Sequence, residues 1–505
     1  MDRKAPMNPI NATTGAGPGA TQVPYARRWP ALFVLLAAWF MNLLDVSIMN
    51  VALPSLQAGL HASDSAIQWV LEIYILTYAL CLLPFGRLGD IVGRKGMFAA
   101  GVGVFTAASV LCGAAPSAEA LIAARGLQGL GAAMMSPQVM AIAQTMFPPK
   151  DRARAFPLFG LTAGLAAISG PLASGLLLHA NFFDLGWRLI FLVNLPIGLL
   201  TIAAALALVP RSPQHEGLRN DWLGIGLAGA AIVCLIFPLV EGRTHGWPLW
   251  CFLAMAAFAP LLVAFVAWQR FQAKRGGSAL LPIDLMSNQD YLIGAGAILV
   301  YCSALQGFFV VFAIFLQVGL QFTPLQAGLA TAPFPVGVLA ATIVSGRIAS
   351  LKAKILGGAL LLVGAFGALP LIVESGGGHV GSQGFAVPLF LGGLGAGMCI
   401  ASLFQTVMRT VPLKDAGSGS GAVQVIQQIG GALGVALVSA IFFSRMGPRE
   451  LLGSHVQDAF RRSFNYTSLY FVGAFLVVAA SALALKIAGP GAAFMPAPAP
   501  QEPRP

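Results

Sequence analysis

The sequence predicts an all-α polytopic membrane protein, and three observations support this fold class. Hydrophobic residues make up 57% of the 505 residues and charged residues only 9%, whereas soluble globular proteins carry about 25% charged residues. The apolar residues gather into runs of about 20 residues, the length that crosses a bilayer as a helix. These runs are too long for membrane strands and do not alternate polar with apolar residues. The composition therefore excludes a soluble globular, disordered or fibrous chain.

Fourteen apolar runs are candidates for membrane-spanning helices. They lie near residues 31–53, 67–88, 96–115, 118–146, 155–179, 187–209, 222–241, 247–268, 290–318, 325–349, 353–374, 384–410, 420–444 and 466–488. An even number of spans puts both chain termini on the same side of the membrane. Residues 1–28 and 489–505, which are rich in glycine, proline or alanine, are predicted to be disordered tails.

Positive charges predict which side the termini occupy. Most of the 29 Lys and Arg residues lie in the N-terminal tail and in the loops on the same side as the termini, and the positive-inside rule assigns that side to the cytoplasm. The opposite loops hold only Arg188, Arg243, Arg445, Arg449, Arg461 and Arg462. Four of these lie within residues 445–465, where we expect either an amphipathic segment on the outer membrane face or a different boundary for the thirteenth span. The net charge of +11 is therefore a topology signal, not a nucleic-acid footprint.

The chain contains an internal repeat. Residues 129–134 (GLGAAM) match residues 393–398 (GLGAGM), and residues 56–60 (LQAGL) match residues 316–320 (LQVGL) at nearly the same offset. Two parallel halves of this kind build many secondary transporters, with the substrate site between them near the membrane midplane.

The repeat predicts how the chain is divided. We expect an N-terminal six-helix half at residues 29–210 and a C-terminal six-helix half at residues 286–488. An additional helix pair at residues 211–285 is inserted between them.

Five passages carry a resemblance to one transporter family. They are residues 44–54 (LDVSIMNVALP), 86–95 (GRLGDIVGRK), 125–131 (RGLQGLG), 169–175 (SGPLASG) and 187–198 (WRLIFLVNLPIG). In these passages the chain resembles the major facilitator superfamily, and within it the fourteen-helix drug:proton antiporter family of multidrug exporters. The resemblance covers residues 30–488 and implies the major-facilitator fold, with two six-helix halves plus two extra central helices.

The chain departs from the family pattern at two places. Ala166 and Ser174 stand where the antiporter motif of the fifth span usually has glycine, and both are small enough to keep close packing. The second-half counterpart of the loop motif, residues 346–354 (GRIASLKAK), lacks the acidic residue. Any latch that this second loop forms is expected to be weaker.

The loop motif between the second and third spans is a candidate gate. Its members are Gly86, Asp90, Gly93, Arg94 and Lys95. The two glycines are expected to permit a tight reversal, and a carboxylate such as Asp90 is stabilised when it faces a helix N-terminus. The resemblance implies that Asp90 docks on the opposite half when the outer gate is open, and residues 417–421 (GSGSG) are the candidate partner. The alternative is an ordinary loop that only marks the cytoplasmic side.

Three charged residues lie away from the ends of the predicted spans, where charge is costly and is a functional hypothesis by default. Asp45 lies deep in the first span, Glu72 in the outer third of the second and Arg125 in the fourth. Arg125 needs a carboxylate partner, and Asp45 or Glu72 is the candidate. The resemblance implies proton or substrate coupling at these residues. The alternatives are a structural ion pair for Asp45 and Arg125, and a carboxylate near the headgroups for Glu72.

Two further groups are predicted to shape the transport path. Gly170, Pro171 and Gly175 are expected to let the fifth span bend and seal against a neighbour, unless they serve packing alone. The candidates for lining the cavity are Asn42, Tyr74, Gln128, Phe308, Phe309 and Phe312. For the aromatic side chains among them, facing lipid is an equally open alternative.

The resemblance implies a multi-pass exporter in the bacterial cytoplasmic (inner) membrane that exchanges lipophilic or cationic drugs and other toxic compounds for protons. The sequence contains no GxxxxGK[ST], HExxH or GxSxG motif. We therefore expect no enzymatic activity, no metal and no cofactor, with export driven by the proton gradient.

The expected partners are small lipophilic molecules, protons and membrane lipid, with no nucleic acid. The outer-side loops are candidates for contact with a periplasmic adaptor protein. Two alternatives stay open: export of one endogenous metabolite, lipid or siderophore, and a membrane sensor or assembly partner without a transport cycle.

Overall fold

The computed structural model describes most of the chain. The described residues are 25–180, 184–211, 221–242, 246–275, 285, 287–322, 324–375, 381–412, 415–444 and 456–486. Within them the secondary structure is helical throughout and contains no strand. The predicted tails, residues 1–28 and 489–505, lie outside the described residues apart from residues 25–28.

The first part of the chain forms eight helices, with a short 3₁₀ turn (Gly186–Arg188) before the seventh. They are α1 (Arg28–Leu60), α2 (Asp64–Val92), α3 (Arg94–Ala114), α4 (Ala118–Met146), α5 (Pro149–Ala155), α6 (Pro157–Ala180), α7 (Leu189–Leu192) and α8 (Asn194–Leu208).

The remaining described residues form nine more helices. They are α9 (Trp222–Glu241), α10 (Leu249–Lys274), α11 (Gln289–Ile314, continued by a π-helical turn at Phe315–Gly319), α12 (Pro324–Thr331), α13 (Pro333–Arg347), α14 (Leu351–Ser375), α15 (Ala386–Thr410, preceded by a 3₁₀ turn at Ser382–Phe385), α16 (Ala416–Ser444) and α17 (Val456–Ala484).

Twelve helical stretches in the described part of the chain are long and apolar enough to cross a membrane. They comprise α1 to α3, the α7–α8 segment, α9 to α11, the α12–α13 segment and α14 to α17. Helices α4 and α6 have 29 and 24 residues, which suits a span, but they are not among the twelve. Helix α4 carries buried polar residues such as Arg125 and Gln128, which lower its hydropathy. The predicted count of fourteen spans is therefore not confirmed.

The last helix begins earlier than the sequence predicts. It starts at Val456, so Arg461 and Arg462 lie in its first turns. Arg461 pairs with Asp458 at 3.4 Å and donates to the backbone carbonyl of Glu374 at 3.5 Å. Helix α16 is described as far as Ser444, so the boundary shown to differ is that of the fourteenth span, and the end of the thirteenth span stays a prediction. The described part of the basic stretch thus belongs to α17, and residues 445–455 lie outside the described part.

Helices α9 and α10 form a hairpin held by one buried carboxylate. Asp221 caps α9 by accepting a hydrogen bond from the Gly224 backbone N–H at 2.9 Å. The same side chain accepts from Trp268 Nε1 and Gln269 Nε2 of α10, both at 2.8 Å. This hairpin occupies the position of the predicted inserted pair.

Matched glycines of the repeat make matched contacts. Helix α4 packs on α2 and α3, and α15 packs on α13 and α14. A Cβ atom at Gly129 would lie 2.6 Å from the carbonyl oxygen of Tyr74, and one at Gly393 would overlap the carbonyl oxygen of Phe334. Both glycines therefore allow the backbone of a neighbouring helix to approach closely. The residue boundaries of the two halves stay a prediction.

Candidate functional site

A buried ion pair joins α1 to α4. Asp45 Oδ2 lies 2.5 Å from Arg125 Nη1, and both residues are 1% exposed. Arg125 Nε also donates to the backbone carbonyl of Val70 on α2, at 3.1 Å. Of the two carboxylates considered from the sequence, Asp45 is therefore the partner of Arg125.

Three polar side chains complete the surroundings of this ion pair. Gln128 Nε2 donates to Asp45 Oδ1 at 2.7 Å and to Ser109 Oγ at 2.9 Å. Asn194 Nδ2 donates to Ser109 Oγ at 2.9 Å and to Asp45 Oδ1 at 3.4 Å. We call Asp45, Ser109, Arg125, Gln128 and Asn194 the Asp45 cluster. Its donors satisfy an ionised Asp45, which a buried carboxylate requires.

A cation–π contact connects the Asp45 cluster to a second group of hydrogen-bonded side chains. The Arg125 guanidinium carbon lies 4.3 Å from the centroid of the Tyr74 ring, a cation–π arrangement. The Tyr74 hydroxyl donates to Asn42 Oδ1, and Asn42 Nδ2 donates to Ser136 Oγ at 3.1 Å. Asn42 and Tyr74, both predicted as cavity-lining residues, are thus buried members of this network.

The Asp45 cluster has the chemistry for proton binding. Arg125 keeps its charge in any protein environment, so Asp45 is the member of the ion pair that can take up a proton. Protonating Asp45 would leave Arg125 buried without a counter-ion, a costly state that favours a rearrangement.

The described residues contain no group of three His, Cys, Asp or Glu side chains placed to hold a metal ion.

Glu72 does not join the Asp45 cluster in this conformation. It lies half-buried on α2, and none of the hydrogen bonds described for the cluster involves it. Of the two alternative partners considered for Arg125, the pair with Glu72 is therefore not observed in this conformation.

The antiporter-motif helix α6 meets α1 beside the Asp45 cluster. A Cβ atom at Gly170 would overlap the side chain of Ser47, two residues after Asp45, whereas a Cβ at Gly175 would meet no atom within 4 Å. Close packing is thus a property of Gly170 and not of Gly175. For Pro171 the structure describes only the backbone, which is helical.

The loop motif binds the start of α16. Asp90 accepts hydrogen bonds from the backbone N–H groups of Gly417 and Ser418 and from Ser418 Oγ, each at 3.0 Å. Arg94 Nη2 lies 2.8 Å from Asp90 Oδ1. The contact between Asp90 and the GSGSG segment expected from the sequence is therefore present. We call the end of the molecule that carries this contact the Asp90 end.

The two glycines of the loop motif have different roles. Gly93 separates α2 from α3 with a φ of 103°, a conformation that favours glycine. Gly86 lies inside α2, where a Cβ would come within 2.6 Å of the carbonyl oxygen of Gly417. The predicted reversal thus belongs to Gly93 alone, while Gly86 allows α2 and α16 to approach.

A second ion pair accompanies the Asp90 contact. Arg87 Nη1 lies 2.9 Å from Asp415 Oδ1, and both side chains are buried. Lys95 instead turns away from Asp90, because its Nζ donates to the carbonyl of Leu206 at 2.8 Å. Lys95 is therefore attached to the end of α8 rather than to the gate.

Further hydrogen bonds join the first and second parts of the chain. The Tyr78 hydroxyl donates to Gln424 Oε1 at 2.9 Å, and Gln144 Nε2 donates to the carbonyl of Met408 at 2.6 Å. Together with the Asp90 contact, they bridge α2 and α4 to α15 and α16. In this conformation the Asp90 end is closed by polar contacts.

The predicted aromatic residues are packed inside the second part of the chain. Phe308 and Phe312 are fully buried, and their ring centroids lie 4.9 Å apart. The ring centroids of Phe308 and Phe366 lie 4.4 Å apart, and those of Phe309 and Phe334 lie 5.0 Å apart. In this conformation these rings form a core among the helices, so the expectation that they line a cavity or face lipid does not hold for Phe308 and Phe312.

Sequence reasoning missed three participants. Asn194 belongs to the WRLIFLVNLPIG passage, so its polar side chain inside a predicted span was a usable signal. Asp415 ends residues 412–415 (PLKD), which match residues 148–151 (PPKD) at the 264-residue offset of the repeat, so the repeat was a usable signal for it. Nothing in the sequence distinguishes Ser109 from a serine that only packs.

These features match a known family. The profile of the Major Facilitator Superfamily matches residues 35–435, and the chain belongs to this superfamily. It is therefore a membrane transporter and not an enzyme, and the predicted major-facilitator fold is confirmed.

Individual proteins give the same assignment. The chain is 41% identical over 450 residues to the probable actinorhodin transporter of Streptomyces coelicolor, covering 88% of this chain and 78% of that protein. It is 31% identical over 406 residues to the multidrug resistance protein Stp of Mycobacterium tuberculosis, covering 80% and 73%. The crystal structure of the human organic anion transporter MFSD10 shares the fold, with a TM-score of 0.63 at 14% identity, over 89% of this chain and 99% of that one.

Proposed function

We propose that the protein exports drug-like small molecules from the cell in exchange for protons, by alternating access. The relatives named for antibiotic transport and multidrug resistance support export of such compounds. The buried Asp45–Arg125 pair is the single observation that carries the coupling to protons.

The coupling step is assigned to Asp45. With Asp45 ionised, the Asp45 cluster is electrically balanced and its hydrogen bonds are satisfied. A proton arriving from outside neutralises Asp45, and Arg125 must then find other partners. Because Gly170 of α6 packs on Ser47 beside Asp45, a change in the cluster is transmitted to the antiporter-motif helix. Proton and substrate thus favour different conformations, which is what exchange requires.

The Asp90 contact serves as the gate that closes the Asp90 end of the transporter. Its hydrogen bonds, together with the Arg87–Asp415 pair, hold the Asp90 end closed. They must break before the cavity can open on that side. No bound cofactor is needed, because the proton gradient supplies the free energy.

The test is exchange in proteoliposomes. The purified protein is reconstituted with an imposed pH gradient, and ethidium, a lipophilic cation, is added as the substrate. We expect substrate-dependent dissipation of the gradient, and its loss in Asp45→Asn. Glu72→Gln, tested separately, asks whether Glu72 contributes to the same coupling.

Asp458→Asn is the matched control, because it makes the same chemical change at the exposed start of α17. Full proton-coupled transport in both Asp45→Asn and Glu72→Gln would overturn the coupling proposal while leaving the family assignment intact.

A second candidate is an exporter dedicated to one endogenous compound. The relative named as an actinorhodin transporter favours it, because that name refers to a single compound. Deleting the gene and measuring sensitivity to lipophilic cations, dyes and antibiotics separates the candidates. A broad rise in sensitivity supports multidrug export, whereas an unchanged profile with one compound retained inside the cell supports the dedicated exporter.

The proposed location is the bacterial inner membrane with both termini in the cytoplasm, so that the Asp90 end faces the cytoplasm. The surplus of positive charge on that side supports it. Cytoplasmic fluorescence of a C-terminal reporter fusion is the expected result. The proposed partners are protons, small lipophilic molecules and membrane lipid, and contact with a periplasmic adaptor is a separate proposal to be tested by crosslinking.

A further inference from the structure

The loop motif makes a close helix contact in the first half of the chain, and its counterpart in the second half does not. In the first half, Gly86 packs on Gly417, and Asp90 fills the space between α2 and α16. At the 260-residue offset of the repeat, Gly346 corresponds to Gly86 and Ser350 to Asp90. A Cβ at Gly346 would meet no atom within 4 Å. The second half therefore has neither the close approach nor the carboxylate at this place.

A cavity lies near this position at the Asp90 end. Its volume is about 130 Å³, and residues of both halves line it. Gln144 and Arg152 contribute from the first half, and Lys354, Met408 and Arg409 from the second. A cavity of this size holds several water molecules, but drug-sized ligands occupy sites of about 300–1,000 Å³. It therefore fits one small polar group rather than the transported compound.

Positively charged side chains line the cavity. Within the described residues, no carboxylate lies within 4.0 Å of the charged nitrogens of Arg152, Lys354 or Arg409. The nearby Asp151 pairs with Arg28 at 3.1 Å and does not line the cavity. Burial and the neighbouring charge of Arg409 lower the pKa of Arg152, in keeping with cations gathered together.

Lys354 and Gln144 are the buried polar residues of this cavity. Each is 2% exposed. The Lys354 ammonium makes no hydrogen bond to the described residues, although buried cations are normally paired. Gln144 Oε1 likewise has no partner among them. Arg409 is exposed at the mouth of the cavity, so an anion can reach the cavity from the aqueous side.

We propose that this cavity is a binding site for one oxyanion group of the phosphate type, which replaces the missing carboxylate of the second loop motif. Arg152, Lys354 and Arg409 supply the charge, because Arg and Lys side chains form strong charge-assisted hydrogen bonds with phosphate oxygens. A hydroxyl on the ligand satisfies Gln144 Oε1. The group comes either from an anionic phospholipid such as phosphatidylglycerol or from soluble phosphate. Bound there, it links α4 and α5 to α14 and α15 and holds the Asp90 end closed. This site is independent of the proposed proton coupling.

The test is ligand-dependent stabilisation of the purified full-length protein in detergent. The thermal unfolding temperature is measured against increasing phosphatidylglycerol, phosphatidylcholine, and inorganic phosphate with chloride at equal ionic strength. We expect Lys354→Gln and Arg409→Gln to raise the half-saturating ligand concentration at least tenfold, and Lys354→Arg to retain binding. Arg154→Gln is the matched control, because Arg154 lies on α5 beside Arg152 but is exposed and outside the cavity.

Each outcome is informative. Stabilisation by phosphatidylglycerol alone supports the site with lipid as its source, and stabilisation by inorganic phosphate supports it with a soluble source. The proposal is overturned if neither ligand stabilises the protein more than phosphatidylcholine or chloride does. It is also overturned if Arg154→Gln weakens binding as much as Lys354→Gln.

Discussion

At the scale of single residues, the Asp45–Arg125 pair is costly to build and costly to break. Removing two charges from water carries a penalty of several kcal/mol per ion, which a close, well-bonded pair repays. Here the penalty is offset by the short N···O distance of 2.5 Å between Asp45 and Arg125 and by the hydrogen bonds that Arg125 donates to Gln128 and to the Val70 carbonyl. Removing one partner leaves the other unpaired, whereas removing both does not. The double variant therefore regains charge balance, and its proton-driven transport tells whether the pair is structural or couples transport to protons.

We predict that Asp45→Asn and Arg125→Gln each destabilise the protein by about 3–5 kcal/mol. The double variant should be less destabilised than the sum of the single effects, because it contains no unpaired charge. All three variants should lack proton-driven transport. Denaturation of the purified variants and the proteoliposome assay measure the two effects. Retained proton-driven transport in the double variant would show that the pair is only structural.

At the scale of helices, the sequence predicts where each helix lies along the chain better than it predicts which residues contact a neighbouring helix. The long apolar runs fix most helices within a few residues, because hydropathy is a local property of the chain. The start of α17 was missed because Arg461 and Arg462 look like loop residues, whereas their contacts with Asp458 and Glu374 accommodate them in a helix. The different roles of Gly170 and Gly175 were equally invisible, since both are small residues in one motif. Only the packed structure reveals which glycine another helix approaches.

These two glycines provide a matched test of the α1–α6 contact. Gly170→Ala adds a methyl group that overlaps Ser47, and such overpacking costs about 1–3 kcal/mol. Gly175→Ala adds the same group into open space, where replacing a helical glycine favours the helix by about 0.5–1 kcal/mol. We therefore expect lower thermal stability and slower transport for Gly170→Ala, and unchanged or slightly higher stability for Gly175→Ala. Equal effects of the two substitutions would contradict the contact.

At the scale of the whole molecule, the two halves meet at the Asp90 end through contacts that follow the repeat. Gln144 at the end of α4 donates to the carbonyl of Met408 at the end of α15, and these two residues are 264 positions apart, the offset of the repeated GLGAAM segment. The Asp90 contact departs from this symmetry, because Ser350 takes the corresponding place in the second half. The carboxylate of the loop motif is therefore present in the first half of the repeat and not in the second. The Asp90 carboxylate thus holds this end closed together with the Arg87–Asp415 pair.

Asp90→Asn should accordingly shift the whole molecule away from the state with a closed Asp90 end. Hydrogen bonds to a charged group contribute about 1.5–3 kcal/mol each, so losing the charge should raise the population open at that end by roughly 10- to 100-fold. Hydrogen exchange measured by mass spectrometry should then be faster in the peptide that contains Gly417 and Ser418, whose backbone N–H groups donate to Asp90. Peptides at the opposite end should become more protected, because alternating access closes one end as it opens the other. Asp458→Asn, far from this contact, should leave both signals unchanged. If exchange at Gly417 and Ser418 is the same in Asp90→Asn as in the unmodified protein, Asp90 does not hold the gate.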